Sequence, residues 1–172
     1  MIYFTSDLHI SHNNIIKYCN RPYADVYTMD KALIENWNSV VTSEDTIYQL
    51  GDFTLGNNAE EYMKLLNGNI ISIRGNHDRN KLCKNWIQRM DFEYDGYKFL
   101  LNHRPVYNDG TDDPYKDKET KISINLDQYS YILCGHVHEK WLTYQKNINV
   151  GVDVWNFKPV SIIEIIKLIK TL

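Results

Sequence analysis

The 172-residue chain has little of what marks secreted, membrane and nucleic-acid-binding proteins. Its three cysteines, Cys19, Cys83 and Cys134, are widely spaced and form no Cys-x-x-Cys pair. That gives no disulfide framework. Counting permits one disulfide, but the reading is of small buried hydrophobes in a reducing compartment. The N-terminus, Met-Ile-Tyr-Phe-Thr-Ser-Asp, lacks the basic and long apolar regions of a signal peptide, so a cytoplasmic location is expected. The most apolar late stretch, residues 161–172, is broken by Glu164, Lys167 and Lys170 and cannot span a bilayer. A formal net charge of -3 leaves no basic footprint for nucleic acid. It leaves nucleotides open, because bound divalent metals add positive charge that composition does not count. There is no internal repeat, low-complexity tract or linker, and the length suits one domain, 1–172, with a real core.

What is present is a series of metal-seeking blocks: Asp7-Leu8-His9, Gly51-Asp52, Gly75-Asn76-His77-Asp78, Asn102-His103 and Gly135-His136-Val137-His138. Five of the six histidines fall in these blocks, and His12 lies one helical turn past the first. Histidines used for packing would scatter. These cluster beside Asp, Asn and Gly after apolar runs, as ligands gathered from several strand ends do.

The surrounding pattern predicts strands over 2–5, 46–50, 69–73, 92–94, 97–101, 129–133, 141–144 and 148–152. It predicts helices over 12–19, 28–41 and 58–66, and a last one starting at a Ser161/Glu164 capping box. Asp95-Gly96 is a strong hairpin turn. Helices alternate with strands early, and hairpins dominate late. That predicts a mixed sheet system covered by helices, with ligands converging on one sheet edge. The charged segment 108–121 reads as a loop. It is either a plain surface loop or a lid whose carboxylates disfavour polyanions, with Tyr107 or Tyr115 as the residue that stacks on a base.

The chemistry of the blocks is specific. Asp7 and His9, two apart on an extended chain, can reach one ion. Asp52 follows Gly51, where the missing Cβ permits close approach, and its two oxygens can bridge two ions. Asn76 offers a neutral oxygen, and His103, His136 and His138 offer imidazoles. This mixed O and N set suits Mn, Fe or Zn better than an oxygen-only magnesium cage.

In these five ordered blocks the chain resembles the calcineurin-like metallophosphoesterase superfamily over roughly residues 2–160, and most of all its small single-domain bacterial and phage members. The resemblance implies an α/β (α+β) fold, a four-layer αββα sandwich of two mixed sheets with a dimetal site at the strand C-terminal edge. It implies two divalent ions, manganese first, with Fe, Zn, Ni or Co as alternatives. Asp7, His9, Asp52 and His138 would hold one. Asp52, Asn76, His103 and His136 would hold the other. His77 would be the general acid, with Asp78 either orienting it or capping a helix. The implied activity is hydrolysis of phosphomono- or phosphodiesters by a hydroxide shared between the metals. A small phosphoester or nucleotide is the expected substrate, with neither membrane nor nucleic acid as partner. The alternatives are an inactive scaffold for protein assembly, or a nuclease.

One departure narrows this. Protein phosphatases of the superfamily carry Gly-Asp-x-x-Asp-Arg-Gly, whereas this chain reads Gly51-Asp52-Phe53-Thr54-Leu55-Gly56. The second Asp and the Arg are missing, which argues against a protein phosphatase and removes the usual partner of His77. The fourth block reads Asn102-His103 where Gly-His or Ser-His is commoner, but the ligand is kept. His12 and Arg21 are candidates for substrate contact, the alternatives being helix packing and surface placement. Arg74 and Arg79 are expected in surface ion pairs.

Overall fold

The computed structural model describes residues 1–79, 82–107 and 125–172; the expected loop or lid at 108–121 lies outside them. The elements run β1 (Ile2–Thr5), α1 (Asn13–Tyr18), α2 (Val26–Asn38), β2 (Thr46–Gln49), α3 (Ala59–Met63), β3 (Asn69–Ser72), β4 (Arg89–Tyr94), β5 (Tyr97–Asn102), β6 (Tyr131–Cys134), β7 (Thr143–Tyr144), β8 (Asn147–Asn149), β9 (Val160–Ser161) and α4 (Ile162–Ile169).

Two mixed sheets result. The first has the order β3-β2-β1-β9, with β1, β2 and β3 parallel and β9 antiparallel. The second has the order β4-β5-β6-β8-β7, with β5, β6 and β8 parallel and both edge strands antiparallel. The period-two alternation of each strand divides the core into layers. Phe4, Tyr48 and Ile71 of the first sheet meet Phe99, Leu101, Leu133 and Ile148 of the second. Tyr3, Ile47 and Ile70 point the other way, into a helical layer of Ile15, Met29, Leu33 and Trp37. Leu100, Ile132 and Cys134 form the outer face of the second sheet, covered among the described residues by Leu126, Tyr129, Val106 and Trp141. Full burial of each large apolar side chain is worth about 1.5–3 kcal/mol, so the inter-sheet and the sheet–helix layers both contribute heavily to stability.

Local chemistry explains the element ends. In α2, Asp25 accepts from the Thr28 N–H at 2.7 Å, so the helix starts earlier than the apolar spacing predicts. Met29, Leu33 and Trp37, four apart, bury one stripe against the first sheet. In α4 the capping box forms as expected, and Ile162, Ile165, Ile166 and Ile169 close the inter-sheet core. Asp95 (φ 51°) and Gly96 (φ 79°) turn the β4–β5 hairpin, with Tyr94 opposite Tyr97. The expected strands at 141–144 and 148–152 are cut short. Asn149 Nδ2 donates to the carbonyls of His138 and Trp141 at 2.7 and 2.9 Å, and its Oδ1 accepts from Gly151 N–H, so a side chain takes over from the ladder. All three cysteines are free thiols, and no helix among the described residues is long and apolar enough to cross a membrane.

Parallel direction is what builds the site. The C-terminal ends of β1, β2, β3, β5, β6 and β8 each lead into a turn, and a Ser6–Gly151 bridge ties the edges of the two sheets together.

Candidate metal centre

The turns after these strands are tight. Asp7, His9, Asp52, His136 and His138 all lie in the left-handed region, at φ 58°, 53°, 53°, 72° and 51°. This conformation costs a non-glycine residue about 1–2 kcal/mol, so it persists only where neighbours hold it. They do so here. Arg21 donates to the carbonyls of Asp7 and Leu8 at 2.6 and 2.8 Å. The Ser11 N–H donates to the buried Asp30 carboxylate at 3.0 Å. Asp78 accepts from the backbone N–H groups of Asp52, Phe53 and Gly75 at 2.8, 2.9 and 2.8 Å, lashing the second block to the third. Gly51 turns at φ 98°, and a Cβ at Gly135 would overlap Ser6 Oγ and Asp7 Oδ2.

Three groups of donors lie among the described residues; Cys19, His138 and Asp153 form one, and the other two make up the site. Ligand atoms of Asp7, His9 and His138 lie within 4.8 Å of one another, and so do those of Asp52, His103 and His136. Asp52 Oδ2 lies between the clusters, 3.5 Å from His9 Nε2 and 3.3 Å from His103 Nε2. Asn76 Oδ1 is 3.1 Å from His103 Nε2. His9 Nε2 is buried without a hydrogen-bond partner, a nitrogen that a cation would satisfy. His103 Nδ1 faces the Leu50 carbonyl at 2.8 Å and His138 Nδ1 faces Asp153 Oδ2 at 2.9 Å, so the Nε2 atom of each is left for the site. The donor set is chemically suited to divalent ions, which Asp7, His9 and His138 and, separately, Asp52, His103 and His136 would hold.

The model of the calcineurin-like phosphoesterase superfamily domain matches residues 1–160. The chain belongs to this superfamily. An uncharacterized protein of Methanocaldococcus jannaschii is 43% identical over 180 residues, covering 98% of this chain and 91% of its own length. The gene 66 protein of Mycobacterium phage L5 is 29% identical, covering 89% of this chain and 86% of its own. Among solved structures, a protein of unknown function from Aquifex aeolicus is 30% identical with a TM-score of 0.75, covering 98% of each chain. Members of the superfamily are generally phosphoester hydrolases that bind divalent metals.

Burial and the facing carboxylates set the electrostatics of this cluster. Burial pushes the Asp52 carboxyl up, but the His103 and His9 imidazoles and the His77 N–H outweigh it and hold it far below the carboxylate range. Burial lowers His103, yet Asp52 and Asp7 raise it to about 9. Burial lowers His138, yet Asp153, Cys19 and Asp7 raise it to about 11. Burial, with His103 and Arg104, lowers His136 to about 3. Burial also drives His9 well below the ordinary value. His103 Nε2 faces both Asp52 Oδ2 at 3.3 Å and Asn76 Oδ1 at 3.1 Å, a convergence of one nitrogen and two oxygens that suits a cation.

The other expected site residues are distributed as follows. The half-buried His77 ring meets the His9 ring edge-on at 5.2 Å, and its backbone N–H donates to Asp52 Oδ1 at 2.8 Å. Asp78 differs from the orienting role expected of it: among the described residues its carboxylate accepts from three backbone N–H groups and makes no bond to the His77 ring. Arg21 is a second correction. Its guanidinium is buried and engaged by Asp153 and two carbonyls, so it is not placed to meet a phosphate. Arg74 and Arg79 donate to the carbonyls of Asp78 and Asn76, where surface ion pairs were expected. Asp153 was missed as a site residue. Its only sequence signal was an acid following the last parallel strand and a Gly.

Proposed function

We propose that this protein is a metal-dependent phosphoesterase that hydrolyses small phosphomono- or phosphodiesters at a dinuclear centre, with nucleotides among its substrates. The observation that carries the reading is Asp52 Oδ2 between two imidazole nitrogens, 3.5 Å from His9 and 3.3 Å from His103. Divalent ions held by these donors would supply an acidified water and neutralise charge on the phosphoryl oxygens. Asp52 stays ionised and would serve both clusters. His103 and His138, each tied back through Nδ1, present Nε2. His77 borders the first cluster and holds a proton for the leaving oxygen. Manganese is the proposed metal, since the set mixes oxygen and imidazole donors.

The test is hydrolysis of bis-p-nitrophenyl phosphate and p-nitrophenyl phosphate after chelation and after Mn²⁺ return. Activity should vanish and come back, and the preferred substrate divides diesterase from monoesterase. Full activity after stripping would overturn the reading. A metal-loaded protein inert on both substrates, and on nucleotides, would favour a scaffold.

A further inference from the structure

The loop after β1 ends in a turn with a use of its own. His12 N–H donates to the His9 carbonyl at 3.1 Å, which brings the two side chains to the same side. His12 occupies the N-cap position of α1, but its side chain makes no capping bond. Instead its Nδ1 lies 3.1 Å from Nδ1 of His9, with ring centroids 5.1 Å apart. Two imidazole nitrogens at this distance share one proton: one ring donates it and the other accepts.

We infer that His12 is a positioning residue for the first metal site, with its Nδ1 accepting the Nδ1–H of His9. The inference rests on the metal centre proposed above. A ligating nitrogen must carry no proton. His9 Nε2 is the nitrogen that faces Asp52, buried and without a partner, so the ring's proton belongs on Nδ1. Among the described residues, the polar atom placed to receive it is His12 Nδ1. His12 then keeps its own proton on Nε2. Metal-bound histidines almost always give their second N–H to a carboxylate, a carbonyl or water. His103 uses the Leu50 carbonyl and His138 uses Asp153. For His9 an imidazole fills that place. This gives His12 a structural use beside the catalytic metals that differs from contact with substrate.

The experiment compares wild type, His12→Ala and His12→Asn. An Asn Oδ1 lies near the place of His Nδ1 and can only accept. Zn²⁺ and Mn²⁺ uptake is measured by isothermal titration, with thermal unfolding as a folding control. Long-range proton–nitrogen NMR of the Zn-loaded protein reads the His9 tautomer. His12→Ala should weaken one of two sites by about 10–100-fold, and His12→Asn should restore it. The His9 proton should be on Nδ1 in the wild type. Wild-type affinity at both sites in His12→Ala would overturn the role, and so would equal loss in Ala and Asn, or a His9 proton on Nε2. A wild type that takes up no metal would overturn the centre itself, a separate and recognisable failure.

Discussion

Asp153 Oδ2 lies 2.9 Å from Nδ1 of His138, while the same carboxylate receives Nε and Nη2 of Arg21 at 2.8 and 2.9 Å. One buried acid therefore joins a metal-facing histidine to a buried guanidinium. That guanidinium in turn holds the carbonyls of Asp7 and Leu8. The first and last blocks share one polar network, closed by an Arg21–Asp153 pair 132 residues apart.

Arg21→Met should act as a folding mutation. It leaves Asp153 buried without its cation, and breaking a buried pair from one side costs about 3–5 kcal/mol. Urea unfolding should show that loss, and KM for a small phosphoester in the remaining folded protein should stay near wild type. A large rise in KM at unchanged stability would restore the phosphate-contact role.

Ligand and acid should separate by mutation. His77→Ala should keep both metals and lower the rate by about 10²–10⁴-fold, most for poor leaving groups that need the proton. Asp52→Asn should lower metal content and rate together, because the bridging charge is gone. Metal analysis beside steady-state rates decides, and a metal-depleted His77→Ala would contradict the assignment.

The metal-stripped protein should show a stability maximum near the ordinary histidine pKa of 6.5. His9 and His136 are depressed, so the unfolded chain binds more protons below that value and stability rises with pH there. His103 and His138 are raised to about 9 and about 11, so their contribution is complete below 6.5 and is lost as pH climbs through those values. Melting temperature should fall between about pH 7 and 9. Loading with Mn²⁺ should flatten that fall, since metal replaces the protons. Equal falls with and without metal would sink the account.

The strands and ligand blocks were legible because the apolar runs before four of the five blocks end at a Gly or Asp that stops the ladder and delivers a donor, and the run before His103 ends at Asn102. The Asp95-Gly96 turn and the Ser161–Glu164 box were legible for the same reason: their chemistry is local. Arg21 and Asp153 were not, because a charged pair 132 residues apart looks like two surface residues until the chain is folded. Asp78 sat in a ligand block and so read as catalytic, although its three backbone bonds are made with residues whose proximity only the fold creates. The two-residue strand β9 is too short to show a period.

The left-handed backbone at Asp7, His9, Asp52, His136 and His138 gives ligand loss a predictable direction. Glycine or asparagine at His9, His136 or His138 would relieve the conformational cost that histidine bears there. In the metal-free protein such a replacement should raise thermal resilience while removing an imidazole from the cluster. Backbone ease and metal ligation oppose each other along the same sheet edge.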